Sequence, residues 1–347
     1  MRFMARGGAH FASEELAEVL GHYDIGDIKH AQTLSAGNNR APKKIIVSEC
    51  GKFLLKRRPK GKDDAYHVAF GHAVQLYLEE KGFPVAPLVA SSDRRDTALR
   101  LNDHAYELFH FVDGVRYDTS PEAVGDAARQ LALFHRYLAD FACSWKPLRG
   151  SFHDSGGVRG HLKTIASERG AGRTDTSLWR TAEELMALYN SCAIRVNELG
   201  FDSWPEQIVH GDWHPGNMLF ASHKVAAVLD FDSARVAPAP TDLANGMLQF
   251  SIVAGRPNPS DWPEYLDQRK LSNFLAGYLE IIRPKENMIS ALPDLMIEAM
   301  VAEPVLPIAA TGFFGYLSGG DFLKMINRKC NWINNNRSLI LEKAKIE

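Results

Sequence analysis

The chain has 347 residues, 45% of them apolar and 24% charged, which is long for one hydrophobic core and suits a soluble globular protein of two lobes. A net charge of −2 gives no basic field for nucleic acid and no polybasic membrane patch, and no apolar run reaches the ~18 residues of a membrane span. Cys50, Cys143, Cys192 and Cys330 lie far apart without paired spacing, as reduced thiols of a cytoplasmic protein do, and Arg2, Arg6 and His10 interrupt any signal-peptide core.

The first predicted element is a helix opening at Ser13, with Leu16, Ala17, Val19 and Leu20 at helical spacing. Three strands are expected next, over 28–34, 43–48 and 52–57. Between the first two lies Ser35-Ala36-Gly37-Asn38-Asn39, a small polar loop whose backbone amides suit phosphate oxygens; an ordinary hairpin turn is the other reading. Lys56 closes the third strand, where a compact ammonium can neutralise nucleotide phosphates. The other reading of Lys56 is a solvated strand end, since Arg57, Arg58, Lys60 and Lys62 sit beside it and charge runs usually face water. A helix over 66–81 stops at Gly82-Phe83-Pro84. Strands are then predicted over 85–90 and 97–101, followed by Tyr106-Glu107-Leu108-Phe109-His110-Phe111 running into an Asp113-Gly114 turn. Apolar residues at 124, 127, 128, 131 and 134 make 123–142 an amphipathic helix, with His135 on it as a core histidine. Residues 150–173, rich in Gly, Ser, His and Asp, read as one long loop or a pair of loops. Further helices are expected around 176–199, 241–253, 262–283, 287–302 and 320–344.

The most informative stretch runs from Ile208 to Asp232. Its His210-Gly211-Asp212-Trp213-His214-Pro215-Gly216-Asn217 lies between short apolar runs, and a second run, Val225 to Leu229, ends at Asp230-Phe231-Asp232. An Asp on a tight loop can orient a hydroxyl and accept its proton, while an Asn and a second Asp can hold Mg²⁺ against nucleotide phosphates. Two other readings use the same residues. His210, Asp212 and His214 are ordinary zinc ligands, and Asp and Asn are ordinary turn formers. The turn reading leaves Asp230 unexplained, and His210 reads as a buried imidazole holding the loop.

The loop resembles the catalytic loop of the aminoglycoside phosphotransferase and choline kinase superfamily. Asp230-Phe231-Asp232 resembles that family's metal motif, and Thr241-Asp242-Leu243 the Asp-Leu that follows it. The N-terminal Glu14-Glu15-Leu16 and Tyr23-Asp24-Ile25-Gly26 loosely resemble bacterial homoserine kinases of the superfamily. The resemblance implies a protein-kinase-like two-lobe α+β fold, with a small N-terminal antiparallel sheet lobe over 1–112 and a larger, mainly helical lobe over 113–347. It further implies ATP-dependent phosphorylation of a small-molecule hydroxyl. Asp212 would be the catalytic base, and Asn217 and Asp230 the Mg²⁺ ligands. Lys56, with Gly37, Asn38 and Asn39, would hold phosphates, and the backbone at Leu108 and His110 would hold adenine. The chain departs from the family at Phe70-Gly71-His72, where a helix carboxylate usually pairs with the strand lysine; Glu79 and Glu80 stand at the far end of that helix. No acidic cluster stands out near the loop, which disfavours polycationic aminoglycosides and leaves amino-alcohol, sugar and homoserine-like acceptors open. An inactive nucleotide-binding pseudokinase and a Ser/Thr protein kinase are the alternatives.

Overall fold

The computed structural model describes residues 10–35, 41–167 and 176–342. The N-terminal part starts with α1 (Ser13–Leu20), where Glu15 reaches back to accept the Ala12 N–H. A six-stranded antiparallel sheet follows, built from β1 (Ile28–Thr33), β2 (Lys43–Ser48), β3 (Gly51–Arg57), β4 (Leu88–Val89), β5 (Ala98–Leu101) and β6 (His104–His110). Its order is β1-β2-β3-β6-β4, with β5 also paired to β6. Alternating side chains bury Phe53, Leu55, Tyr106 and Leu108 on one face, against Val19, Leu20 and Phe11. The helix α2 (Ala65–Glu80) is capped by Asp64, whose carboxylate accepts the Tyr66 and His67 N–H groups, and it ends before Gly82 in the left-handed region.

The larger part is mainly helical. It comprises α3 (Pro121–Tyr137), the short strand β7 (Leu148–Arg149), α4 (Gly156–Ser167) and α5 (Thr176–Glu198), then a group of short strands. These are β8 (Glu206–Val209), β9 (Met218–Ala221), β10 (Lys224–Val228) and β11 (Arg235–Pro238). The remaining helices are α6 (Pro240–Ser251), α7 (Gln268–Leu279), α8 (Glu286–Ser290), α9 (Leu292–Thr311), α10 (Gly319–Asn335) and α11 (Arg337–Leu341). The chain is therefore a two-lobe α+β protein with a protein-kinase-like arrangement of a small sheet and a larger set of helices. No described helix is long and apolar enough to cross a membrane.

Several elements differ from expectation: β7 and β11 were not expected, and the helices expected over 287–302 and 320–344 are each broken in two. Residues 156–167 form a helix, because Val158, Leu162 and Ile165 fall on one face and are buried despite the surrounding glycines. The stretch 85–90 contributes only the two-residue β4, while Val85 bridges across to Val228 in the other lobe.

Candidate active site

The loop 210–217 leaves β8 and returns as β9, which pairs with β10 through a hairpin whose Ser222 and His223 both have positive φ. Gly211 sits at φ +75°, and a Cβ there would meet the Ser233 carbonyl at 2.5 Å, so the loop's sharp turn requires glycine. Asp242, almost fully buried on α6, holds this turn from beneath. Its carboxylate accepts the N–H groups of His210 (2.6 Å) and Gly211 (2.9 Å), and His135 Nε2 stands 3.3 Å away. Tyr278 completes the support at 2.8 Å from His135 Nδ1. His135 is thus a core histidine.

His210 is fully buried among Phe134, Trp213 and Phe231, and its Nε2–H donates to the Leu229 carbonyl at 3.3 Å. Burial pushes its pKa below the ordinary value, which Asp242 and Asp212 do not overcome, so the ring is neutral. Among the described residues no group of three or more His, Cys, Asp or Glu is arranged to hold a metal ion, so His210, Asp212 and His214 do not form a zinc site.

Asp212 is half-buried at the edge of a cavity of about 280 Å³. Asn217, five residues on, donates its side-chain amide to Asp212 Oδ2 (2.9 Å) and to the Asp212 carbonyl (3.1 Å). In its neutral form His214 accepts the Gly216 N–H on Nδ1 (2.9 Å) and keeps its proton on Nε2, which stands 3.5 Å from Asp212 Oδ2 whether or not the ring is charged. Burial alone would raise the Asp212 pKa. The His214 hydrogen bond and charge, with the Asn217 amide, outweigh it and hold the carboxyl below its usual value. For His214, burial opposes protonation, but Asp212 and then Glu303 lift its pKa above the ordinary imidazole value.

Asn217 is tied to the end of β10 by the Leu229 N–H, which donates to the Asn217 carbonyl at 2.8 Å. The next residue, Asp230, adopts φ +61°, a left-handed conformation uncommon outside glycine and a form of strain found at functional turns. The residue as a whole is exposed while its carboxyl is partly desolvated, and that desolvation, with the neighbouring Asp232, raises its pKa against the pull of Lys56. Two hard oxygen donors, Asn217 Oδ1 and the Asp230 carboxylate, with surplus negative charge beside them, fit a divalent cation that also takes phosphate and water oxygens.

Lys56 is where the structure adds most to the sequence. The β3–β6 register sets Lys56 directly opposite Glu107, and the two form an ion pair at 3.3 Å. The carboxylate missing from α2 is therefore supplied by β6, and neither Glu79 nor Glu80 is needed. His72, standing on α2 where a carboxylate was expected, donates from Nε2 to Glu107 (2.8 Å), while Thr97 Oγ1 lies 2.7 Å from its Nδ1. Close packing accompanies the exchange: a Cβ on Gly71 would lie 3.3 Å from the Phe231 carbonyl, so α2 rests directly on the 231–233 turn. Arg58, expected in a solvated charge run, is buried. It bridges Glu107 (2.5 Å) and Asp232 (2.6 Å), linking the sheet lobe to the Asp-Phe-Asp turn. Burial acts against the charge on Glu107, yet Lys56, His72 and Arg58 together drive its pKa far below the carboxylate range. Asp232 is thus an ion-pair partner of Arg58.

The other expected nucleotide contacts fare unequally. Gly37, Asn38 and Asn39 lie outside the described residues. Leu108 is fully buried between Leu55 of β3 and Val89 of β4, and His110 gives its N–H to the Pro87 carbonyl at 2.8 Å. The sheet therefore already engages much of the backbone expected to hold adenine. The cavity beside Asp212 was not foreseen. Arg235 and Glu303 line it, together with Asn245, Gln249, Phe152 and Ala299. Arg235 lies three residues past Asp232, and Glu303 immediately precedes Pro304 inside α9; neither position carries a local motif.

A family model, the phosphotransferase enzyme family, matches residues 30–281, from the first strand of the sheet to the end of the α7 region, and takes in Lys56, Glu107, the 210–217 loop and Asp230, though not the α9 wall of the cavity. The chain belongs to the phosphotransferase enzyme family. Curated relatives of this phosphotransferase include the homoserine kinase of Rhodopseudomonas palustris, 26% identical over 231 residues. That match spans 64% of this chain and 64% of the relative's own length, just under two thirds. The homoserine kinase of Bradyrhizobium diazoefficiens is 23% identical over 293 residues, covering 82% of this chain and 80% of the relative. Among solved structures, the microcompartment-associated aminopropanol kinase superposes with a TM-score of 0.70 at 14% identity, over 94% of this chain and 98% of that one. An amicoumacin kinase in complex with AMP-PNP, Ca²⁺ and Ami gives 0.67 at 15% identity over 94% of each chain. Choline kinase from Cryptosporidium parvum gives 0.61 at 15% identity, covering 96% and 98%. At such identities the likeness to these structures is one of fold.

Proposed function

We propose that this phosphotransferase moves the γ-phosphoryl group of ATP to a hydroxyl of a small molecule. The observation that carries the reading is the Asp212 carboxylate, kept ionised by His214 and aimed by Asn217, at the edge of a cavity of small-molecule size. In this reading the acceptor oxygen attacks the γ-phosphorus, its proton passes to Asp212, and ADP leaves. Lys56, oriented by Glu107, neutralises nucleotide phosphate charge, and adenine lies at the end of β6 beside His110. Asn217 and Asp230 would hold Mg²⁺, which when bound neutralises phosphate charge. The nucleotide lobe ends near residue 112, the acceptor lobe follows, and the protein works in the cytoplasm. Positioning and electrostatics supply most of such catalysis, and a buried, hydrogen-bonded loop provides both.

The homoserine kinase relatives and the kinase-like neighbours support a hydroxyl acceptor. A coupled ADP-release screen of small hydroxyl compounds, with Asp212→Asn as control, tests the reading. Binding to the folded state alone raises stability by about 2.7 kcal/mol at a hundredfold excess over the dissociation constant. No thermal shift with millimolar ATP and Mg²⁺ would refute it.

A further inference from the structure

We propose that the cavity beside Asp212 is built for a zwitterion, a free hydroxy-α-amino acid whose carboxylate binds Arg235 and whose ammonium binds Glu303. The inference rests on the proposed phosphoryl transfer to a hydroxyl at Asp212. Its own basis is the charge pattern of the cavity wall.

Arg235, at the start of β11, is anchored by its Nε–H on the Ser233 carbonyl (2.9 Å). Among the described residues no carboxylate forms an ion pair with it, although the guanidinium lines the cavity. A held guanidinium with its remaining N–H donors open is suited to a bidentate carboxylate. Glu303 enters from α9. Its Oε2 accepts the Gln249 amide at 2.7 Å, which leaves Oε1 for another donor. The other charged groups here are already engaged. Asp242 holds the backbone of His210 and Gly211, and His214 faces Asp212. Beyond the reacting carboxylate, the wall offers a guanidinium without an ion-pair partner among the described residues and a carboxylate met by the Gln249 amide and, at longer range, by the His214 charge.

That pattern separates acceptor classes. A polycation needs several carboxylates and would meet Arg235. A quaternary ammonium is favoured by several aromatic faces, and Phe152 is the one aromatic ring among the lining residues. The cavity, about 280 Å³, also suits a metabolite smaller than an aminoglycoside.

The test uses matched acceptors in the ADP-release assay at saturating Mg²⁺-ATP. Serine is compared with ethanolamine and hydroxypropionate, and homoserine with aminopropanol and hydroxybutyrate, so that each pair differs by one charged group. The best amino acid should exceed both counterparts in kcat/KM by about 10–100-fold each, the factor for a hydrogen bond to a charged group. Arg235→Gln should erase the preference over the amine, and Glu303→Gln the preference over the hydroxy acid. Rescue of the first preference by Arg235→Lys would mark a charge role rather than a structural one. The proposal is overturned if an amine or a polycation is the better acceptor, or if both preferences survive the substitutions. It is also overturned if no amino acid is turned over by a protein that still binds Mg²⁺-ATP. Failure to bind Mg²⁺-ATP at all would instead overturn the phosphotransfer reading, and this inference with it.

Discussion

Replacing Glu107 with glutamine tests the strand-borne partner of Lys56 while preserving side-chain shape. Glu107 is almost completely buried, faces Lys56 at 3.3 Å and Arg58 at 2.5 Å, and receives His72. With an effective dielectric constant of about 20, the two attractions amount to roughly 5 and 7 kcal/mol, gross of the desolvation that opposes them. Removing one member of a buried pair leaves an uncompensated charge and costs about 3–5 kcal/mol. Here two cations would share a site with only Asp232 left to balance Arg58. We expect Glu107→Gln to lower unfolding free energy in urea by about 3–5 kcal/mol at neutral pH, and to raise the KM for Mg²⁺-ATP as Lys56 loses its orientation. The pH dependence has a definite sign. Because the folded-state pKa of Glu107 is depressed, its stabilisation is complete above the unfolded value of about 4.3 and is lost as pH falls toward the folded value. Parent and variant should therefore converge in stability on acidification below about pH 4. A loss under about 1 kcal/mol at pH 7, with the KM for Mg²⁺-ATP unchanged, would refute the argument, since it would place Glu107 among ordinary surface substitutions.

Asp212→Asn keeps shape and removes basicity, so turnover should fall by about 10²–10⁴-fold with Mg²⁺-ATP affinity retained, as read by kinetics and calorimetry. Asp230→Ala should weaken Mg²⁺-ATP binding as well as turnover; intact phosphoryl transfer in both variants would remove these residues from the proposed machinery. His214 helps keep the Asp212 pKa low, so His214→Gln should move the acidic limb of the kcat profile to higher pH, and an unmoved limb would contradict the pairing. Gly211→Ala combines a positive φ with a 2.5 Å contact to the Ser233 carbonyl, so it should destabilise the fold by about 1–3 kcal/mol and depress turnover; a urea midpoint equal to the parent's would show that the turn tolerates a side chain.

The elements legible in the sequence were those fixed by short-range chain connectivity. Asp212 and Asn217 are five residues apart on a tight loop between two strands, so their 2.9 Å contact follows from the loop itself. The helix α3 announced its face through Val124, Ala127, Ala128, Leu131 and Phe134, all buried as the spacing requires. The helix over 156–167 carried a similar signal in Val158, Leu162 and Ile165, but the glycines around it, unfavourable to helices in isolation, obscured the period. Other features depended on contacts between distant segments. Glu107 looks like one charge in an apolar strand until the β3–β6 register sets it opposite Lys56, and a one-residue slip would turn its side chain to the other face. Arg58 reads as part of a hydrated run, and only the docking of the sheet lobe onto the 231–233 turn buries it between two carboxylates. Arg235 and Glu303 meet at one cavity because β11 and α9 pack around it. Local spacing decides what one loop can bring together, whereas pairing across strands and lobes is settled by the burial of apolar faces far from the charges it aligns.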